Sequence, residues 1–193
     1  MIYLASQSPR RRELLQQVGV KFELLIPDVN EVPLPKERPA DYVTRIARIK
    51  AEVAWMRVME GRLPRRPVLA ADTTVALGRR IFGKPENRQE AEAMLAQLSG
   101  RRHRVYTAVA VACDDRLEQR LSVSTVQFRT LTEDEIRRYA ASGEPLDKAG
   151  AYAIQGRAAA FIAGISGSYS GVMGLPLYET AELLAAFGID MLS

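Results

Sequence analysis

Helical and strand-type patterns alternate along this chain, and their order restricts the possible folds more than any other feature of the sequence. Cap residues, glycines and apolar spacing predict helices over about residues 9–18, 40–61, 88–98, 133–141 and 176–188. Strand patterns fall at about 3–5, 20–26, 67–77, 79–83, 103–113, 117–129, 149–154 and 158–165. Short turns join several neighbouring strands as hairpins, and the last two strands are expected to pair. We therefore predict an α/β fold with a mixed, curved sheet and flanking helices, not a doubly wound parallel sheet.

Length and composition narrow the class of protein. The 193 residues suit a single domain over 1–193 with no separable linker. One cysteine and one histidine exclude a disulfide framework and the usual cysteine- or histidine-rich metal sites. The net charge of +4 fits an anionic small molecule as well as nucleic acid. No apolar run is long enough for a membrane span and no signal peptide is recognisable, so we expect a cytoplasmic protein.

The stretch YLASQSPRRRELL combines a strand end, two serines, a proline and three arginines. Ser8 and Pro9 predict that a helix begins here, and a helix N-terminus binds anions through its unpaired N–H groups. Hydroxyls from Ser6 and Ser8 add donors, and the guanidinium groups of Arg10 and Arg11 match phosphate oxygens. A solvated basic helix end is the simpler alternative, but the combination favours a phosphate site.

The stretch PVLAADTTVAL places Asp72 inside an apolar strand, where a carboxylate is costly unless it is paired, hydrogen-bonded or metal-bound. It either binds a divalent cation, activates water or only bonds a turn. Lys84 follows the hairpin that begins with this strand, and Lys50 borders the apolar stripe of its helix. Glu31 lies in a proline-rich loop. For these last three residues, solvated surface charge is the simpler alternative.

The stretch EPLDKAGAYAIQG ends a predicted strand with Gln155, whose amide offers both a donor and an acceptor to the edge of a base. His103 and Cys113 lie in one strand without a second histidine or an evident base partner, so both are interpreted as structural. A Ser-His-Asp or Cys-His mechanism is therefore not expected.

Six motifs in this order resemble the Maf family of nucleotide pyrophosphatases over about residues 3–187. They are SQSPRR, AADTTV, GKP, LSGRRHRVYTAVAV, EPLDKAGAYAIQG and GSYSGVMGLPLYET. The resemblance implies two lobes around a cleft, a fold similar to inosine-triphosphate pyrophosphatase (Maf/Ham1), and hydrolysis of a nucleoside triphosphate to the monophosphate and diphosphate. It places the catalytic acid on Asp72. It assigns phosphate and metal binding to Ser6, Ser8, Arg10, Arg11, Glu31, Lys50 and Lys84.

Within the family, the chain is similar to the subgroup acting on dTTP and UTP at Arg10, Thr73 and Gln155. The resemblance implies a divalent metal cofactor (Mg, Mn or Co), held by Glu31 and Asp72, and a homodimer is expected by family likeness. Whether Asp72 is base or metal ligand stays open. The alternatives are a nucleotide-binding regulator of septum formation, and the same reaction on a purine or 7-methylguanine nucleotide. No stable nucleic-acid complex is expected, because no basic stripe interleaved with aromatic residues is present.

Overall fold

A computed structural model describes residues 1–191 and contains a seven-stranded sheet with helices on both faces. The strands are β1 (Ile2–Leu4), β2 (Phe22–Leu24), β3 (Val68–Leu77), β4 (Arg80–Phe82), β5 (Arg102–Cys113), β6 (Arg116–Phe128) and β7 (Ile162–Ser166). The helices are α1 (Pro9–Gln17), α2 (Pro39–Glu60), α3 (Arg88–Leu98), α4 (Glu133–Ala141), α5 (Tyr169–Met173) and α6 (Leu177–Ala186).

The sheet is mixed, as predicted. Its strand order is β2-β1-β3-β5-β6-β7, and β4 pairs separately with the end of β3. β1 is parallel to β2 and to β3, whereas β3, β5, β6 and β7 pair with one another antiparallel. β3 pairs with β1 only at Val68 and Leu69, whereas it pairs with β5 from Val68 to Ala76, so the part of β3 that carries Asp72 lies beyond β1.

The two faces of the sheet are covered by different helices. Along β3 and β5, one set of alternating side chains is small, and this set packs against α2: Val68, Ala70, Ala76, Ala108, Ala110 and Ala112. The opposite set contacts α1 and α6 through larger side chains, including Leu69, Val109 and Val111. Since strand side chains alternate between faces, the alanine face lets the long helix α2 lie close to the strands. A third cluster joins α3 and α4 to the far ends of β5 and β6.

Most predicted elements are confirmed with boundary shifts of one or two residues, including the Thr132–Glu135 capping box of α4. The expected strand over 20–26 is shorter, because only Phe22–Leu24 pairs with β1. The glycine-rich stretch 167–176, expected as a turn, contains the short helix α5.

The predicted strand pair over 149–154 and 158–165 is wrong. The first stretch forms a 3₁₀ turn at Ala149–Ala151 and then an irregular segment, and residues 157–161 form another 3₁₀ turn. Only Ile162–Ser166 is a strand, and it pairs with β6. The reason is local: Gly150 and Ala151 have φ values of +70° and +61°, which no strand permits. Asp147 and Lys148 accordingly precede a 3₁₀ turn and not a strand.

Within residues 1–191, none of the helices is both long and apolar enough to cross a membrane.

His103 is buried in the third cluster, as expected for a structural residue. Its Nε2 lies 2.9 Å from the hydroxyl of Tyr152, and its ring meets those of Phe128 and Tyr152 edge-on. Burial lowers the pKa of His103 to about 4, from an ordinary value of 6.5. The folded protein therefore keeps this histidine neutral over a pH range in which the unfolded chain binds a proton.

We predict that acid destabilises the wild type more than His103→Gln between pH 6.5 and about 4. In that window the unfolded wild type binds one more proton than the folded state, so its stability falls with falling pH by about 1.4 kcal/mol per unit relative to the variant. Urea unfolding of both proteins across the window measures this difference. His103 is the one histidine of the chain, so parallel pH curves for the two proteins contradict the prediction.

Candidate active site

A cavity of about 930 Å³ opens between the β1–α1 junction, the second half of β3, the loop before α2 and the segment around Gln155. The sequence-predicted site residues all line it: Ser6, Ser8, Arg10, Arg11, Glu31, Lys50, Asp72, Thr73, Lys84 and Gln155. Residues separated by up to about 150 positions therefore meet at one place.

An ion-paired carboxylate forms the floor of the cavity. Asp72 lies on the α2 face of β3, and Lys50 reaches it from the middle of α2. The Lys50 Nζ lies 2.8 Å from Asp72 Oδ1 and 2.8 Å from Glu31 Oε1. The Asp72 and Lys50 side chains are only 7% and 10% exposed, whereas Glu31 is half exposed in the loop before α2. One buried ammonium thus joins two carboxylates from different parts of the chain.

Burial raises the pKa of Asp72 above its ordinary value, and Lys50 and Arg11 partly oppose this by favouring the charged form. The second oxygen, Asp72 Oδ2, is buried without a hydrogen-bond partner within residues 1–191. A buried carboxylate oxygen that is left unbonded is costly, so it is available to a ligand, a water or a cation.

The cavity supplies few ligands of its own to a divalent metal. The described residues contain no cluster of three or more histidine, cysteine or acidic side chains. Asp72 Oδ2 and the half-exposed Glu31 nevertheless offer oxygen ligands on one side of the cavity. Mg²⁺ is commonly held by one or two carboxylates, with waters and substrate phosphates completing its shell. The two carboxylates fit such an ion when phosphate oxygens supply the remaining ligands.

The β1–α1 junction presents N–H and hydroxyl donors. Ser8 occupies the N-cap position of α1, but within the described chain its hydroxyl caps no backbone N–H of that helix. Pro9 follows at the first helical position. Ser6 Oγ accepts from the backbone N–H of Ser8 at 3.2 Å. The helix N-terminus therefore keeps its partial positive charge and the Ser8 hydroxyl for a ligand.

Arg11 is buried and anchored in three directions. Its Nε donates to the Gly174 carbonyl at 2.7 Å, Nη1 to Ser6 Oγ at 3.0 Å and Nη2 to Thr73 Oγ1 at 3.2 Å. Burial lowers its pKa, although the nearby Asp72 charge opposes that shift. Three of its five N–H donors are thus committed to the protein, so the orientation of the cation is fixed.

Arg10 faces a carboxylate across the cavity. Its Nη1 lies 3.6 Å from Asp147 Oδ2, and Lys148 also pairs with Asp147. Asp147 and Lys148 line the cavity, and the sequence had not assigned them to the site. The sequence pattern does not show which turn of the folded chain lies beside Arg10. A carboxylate next to the predicted phosphate site was therefore not expected.

Gln155 is exposed at the cavity rim. Glu144 supports the turn that carries it and accepts hydrogen bonds from the Tyr139 hydroxyl and the Arg157 backbone N–H. A Cβ at Gly156 would lie 2.2 Å from Glu144 Oε1, so a larger residue there would displace the Glu144 carboxylate. Lys84 is exposed and also lines the cavity.

Tyr42 is a further cavity residue, and none of the sequence motifs indicated it. Its hydroxyl donates to the Glu31 carbonyl at 2.8 Å and so ties the proline-rich loop to α2. Burial raises its pKa. Tyr42, Ile46 and Lys50 are spaced four residues apart and therefore lie on one face of α2. This spacing is the sequence signal that could have placed Tyr42 beside Lys50 at the site.

The fold matches a known class of structure. The solved structure of the Staphylococcus aureus Ham1 protein superposes with a TM-score of 0.50, covering 96% of each chain at 15% sequence identity. This likeness concerns the fold alone, and it confirms the fold expected from the family resemblance.

The chain belongs to the family of Maf-like proteins, whose sequence profile matches residues 1–187. Two curated relatives illustrate the similarity, and both are named dTTP/UTP pyrophosphatase. The protein of Nitrosomonas europaea is 55% identical, with 98% of this chain and 96% of the relative aligned. That of Nitrosospira multiformis is 59% identical, with 95% and 92% aligned.

We predict that Asp147→Asn binds inorganic tripolyphosphate about two- to fivefold more tightly than wild type, as expected for a partly exposed charge pair. The reason is that Asp147 both neutralises Arg10 and repels an incoming anion. Titration calorimetry measures the change, and Asp134→Asn on α4, whose carboxylate pairs with Arg138, is the matched control. Weaker binding by Asp147→Asn would show instead that Asp147 holds Arg10 in its binding position.

Proposed function

We propose that this protein is a nucleoside triphosphate pyrophosphatase that hydrolyses dTTP and UTP to the monophosphate and diphosphate. The observation that carries the proposal is the buried Asp72–Lys50 pair with one unbonded carboxylate oxygen, facing a cavity that the cationic β1–α1 junction also lines. The names of relatives at 52–59% identity support the same reaction and the same two substrates. Removal of unwanted, including modified, pyrimidine nucleotides is the role that we infer.

The phosphate end of the site follows from charge. A nucleoside triphosphate brings about four negative charges, and phosphoryl-type transfer depends on their neutralisation and alignment. Arg10, Lys84 and the N-terminus of α1 line the cavity, and Ser6 and Ser8 supply hydroxyls. We assign these groups to the triphosphate, with Arg11 as the fixed cation behind them.

The hydrolytic step requires a base close to the α-phosphate. Asp72 Oδ2 accepts the proton of a water, the water oxygen forms a bond to the α-phosphorus, and the bond from that phosphorus to the bridging oxygen breaks. Diphosphate leaves with its charge balanced by the cavity cations. Burial raises the pKa of Asp72 and makes the carboxylate a stronger base, while Lys50 and Arg11 favour its charged form.

A divalent cation (Mg, Mn or Co) is part of the proposal, held by Glu31 and Asp72 together with substrate oxygens. Because Lys50 occupies one oxygen of Asp72, the other oxygen serves either as a ligand of this ion or as the base described above. When bound, the ion supplies positive charge that neutralises the phosphate oxygens. The Lys50 ammonium pairs with both carboxylates and so sets their separation. The hydroxyl of Tyr42 bonds the backbone carbonyl of Glu31 and holds that residue in the loop.

The pyrimidine is read at the rim. The amide of Gln155 both donates and accepts, which suits an imide edge with one N–H between two carbonyls. Thr73 lies in the same cavity. Glu144 lies close to Gly156 and accepts from the backbone N–H of Arg157, so it supports the turn that carries Gln155.

We further propose that the chain acts as a single domain with two lobes around the cavity, assembles as a homodimer and forms no stable nucleic-acid complex. The reaction belongs in the cytoplasm, where nucleoside triphosphates are made and consumed.

The first test is diphosphate release from a panel of nucleoside triphosphates with Mg²⁺, Mn²⁺ or Co²⁺. We expect turnover of dTTP and UTP, and Asp72→Asn should lower kcat by about 10²–10⁴-fold, because it removes the base. Asp115→Asn, the same change in the exposed β5–β6 turn, is the control. In water enriched in ¹⁸O, the label should enter the monophosphate.

Label in the diphosphate would place the attack on the β-phosphorus and contradict the step above. Nucleotide binding without turnover under any metal would favour a regulatory protein instead.

The second test concerns the base. Gln155→Ala should lower the preference for dTTP over dGTP, measured as a ratio of kcat/KM, by about tenfold, because one polar contact to the base is lost. Arg157→Ala, two residues further on and outside the cavity lining, should leave the ratio unchanged. An unaltered ranking in Gln155→Ala would show that another residue selects the pyrimidine.

A further inference from the structure

A chain of hydrogen bonds runs from Arg11 into the sheet. Arg11 Nη2 donates to Thr73 Oγ1, which lies 3.0 Å from Thr107 Oγ1, its cross-strand neighbour on β5. Thr107 Oγ1 lies 2.7 Å from the Gly171 carbonyl oxygen. Thr107 is 1% exposed and does not line the cavity.

Each threonine hydroxyl has a single proton, and this fixes which group donates in each of these hydrogen bonds. A carbonyl oxygen only accepts, so the single hydroxyl proton of Thr107 is committed to Gly171. The contact between the two threonines must therefore use the proton of Thr73. Thr73 in turn accepts from Arg11, which has no acceptor of its own. The order is Arg11 to Thr73 to Thr107 to Gly171, and no hydroxyl in it can reverse without losing a bond.

The series of hydrogen bonds returns to Arg11 through α5. Gly171 lies within α5, and Gly174 is the first residue after this helix. The Gly174 carbonyl accepts a hydrogen bond from Arg11 Nε. Gly174 has a φ of +116°, and a Cβ there would lie 3.5 Å from Thr73 Oγ1. α5 is thus bonded to Thr107 within its helix and to Arg11 at its C-terminal end. The Arg11 guanidinium is therefore held at two points, by Gly174 through Nε and by Thr73 through Nη2, and both bonds belong to one closed hydrogen-bond circuit.

We propose that Thr107 is a positioning residue for hydrolysis, acting through Thr73 to fix Arg11 in the phosphate end of the cavity. This rests on the function proposed above. The same circuit uses the Thr73 proton, so Thr73 has only lone pairs for a ligand. It therefore meets a donor, such as the imide N–H of a pyrimidine or a ribose hydroxyl, and not a phosphate oxygen.

The test is a double-mutant cycle on dTTP hydrolysis. Thr107→Val keeps the shape and removes the hydroxyl, and kcat/KM should fall about tenfold, the equivalent of one buried hydrogen bond to a charged network. Thr107→Ser should restore activity to within about threefold, because it restores the hydroxyl. Thr73→Val should give at least as large a loss, because Thr73 also contacts the ligand. The double variant should lose little more than Thr73→Val alone, since either change breaks the same circuit.

Thr180→Val is the matched control. Thr180 is fully buried and its Oγ1 donates to the Pro176 carbonyl at 2.7 Å, so it loses the same kind of bond without touching the circuit. It should lower the unfolding free energy like Thr107→Val and leave kcat/KM unchanged. Equal kinetic losses in both variants, multiplicative losses in the double variant, or no rescue by serine would overturn the proposal.

A measurement without substrate separates this proposal from the proposed function. Exchange of the Arg11 Nε–H proton, followed by NMR and assigned with Arg11→Lys, should be about tenfold faster in Thr107→Val than in wild type or Thr180→Val. If the wild type releases no diphosphate from any nucleotide, the function fails while this readout still tests the circuit. If Thr107→Val does not fold, Thr107→Ala takes its place in both experiments. Unchanged exchange would show that Thr107 does not hold Arg11.

Discussion

The burial of Asp72 against Lys50 is the interaction on which the rest of the site depends. Moving two charges from water into a protein costs several kcal/mol per ion, and their attraction repays this only with good geometry. The pair has one 2.8 Å contact and leaves Asp72 Oδ2 unbonded, so stability alone does not explain it. A hydrophobic pair of similar volume would serve the core at least as well. The chemistry of the cavity is the physical reason to keep it.

The surrounding architecture serves that pair. Lys50 reaches β3 because α2 lies close to the sheet, and α2 lies close because the strand residues beneath it are mainly alanine. Glu31 belongs to a loop with little regular structure, yet its backbone is bonded to Tyr42 on the same helix. Helix packing therefore places both the ammonium and the second carboxylate.

A second constraint operates on the other face of β3. Alternation along the strand sends Thr73 to the side opposite Asp72, where it meets Arg11 and Thr107. Two neighbouring residues thus serve two separate networks, one acidic and one built on a fixed cation. The glycine-rich segment around α5 takes part because its carbonyls, and not its side chains, complete the second network.

The sequence by itself determined the helices and the long strands, since caps and periodicity are local signals. Its motifs, through their resemblance to the Maf family, also indicated many of the residues that line the cavity. It failed at residues 149–154, where an apolar run suggests a strand. Gly150 and Ala151 adopt positive φ values there, and Gly150 packs so closely on Val75 that a Cβ would lie 2.8 Å away. The partners of Asp147, Tyr42 and Thr107 were equally beyond it. Such contacts join residues far apart in the chain, and only the tertiary structure decides which of them meet.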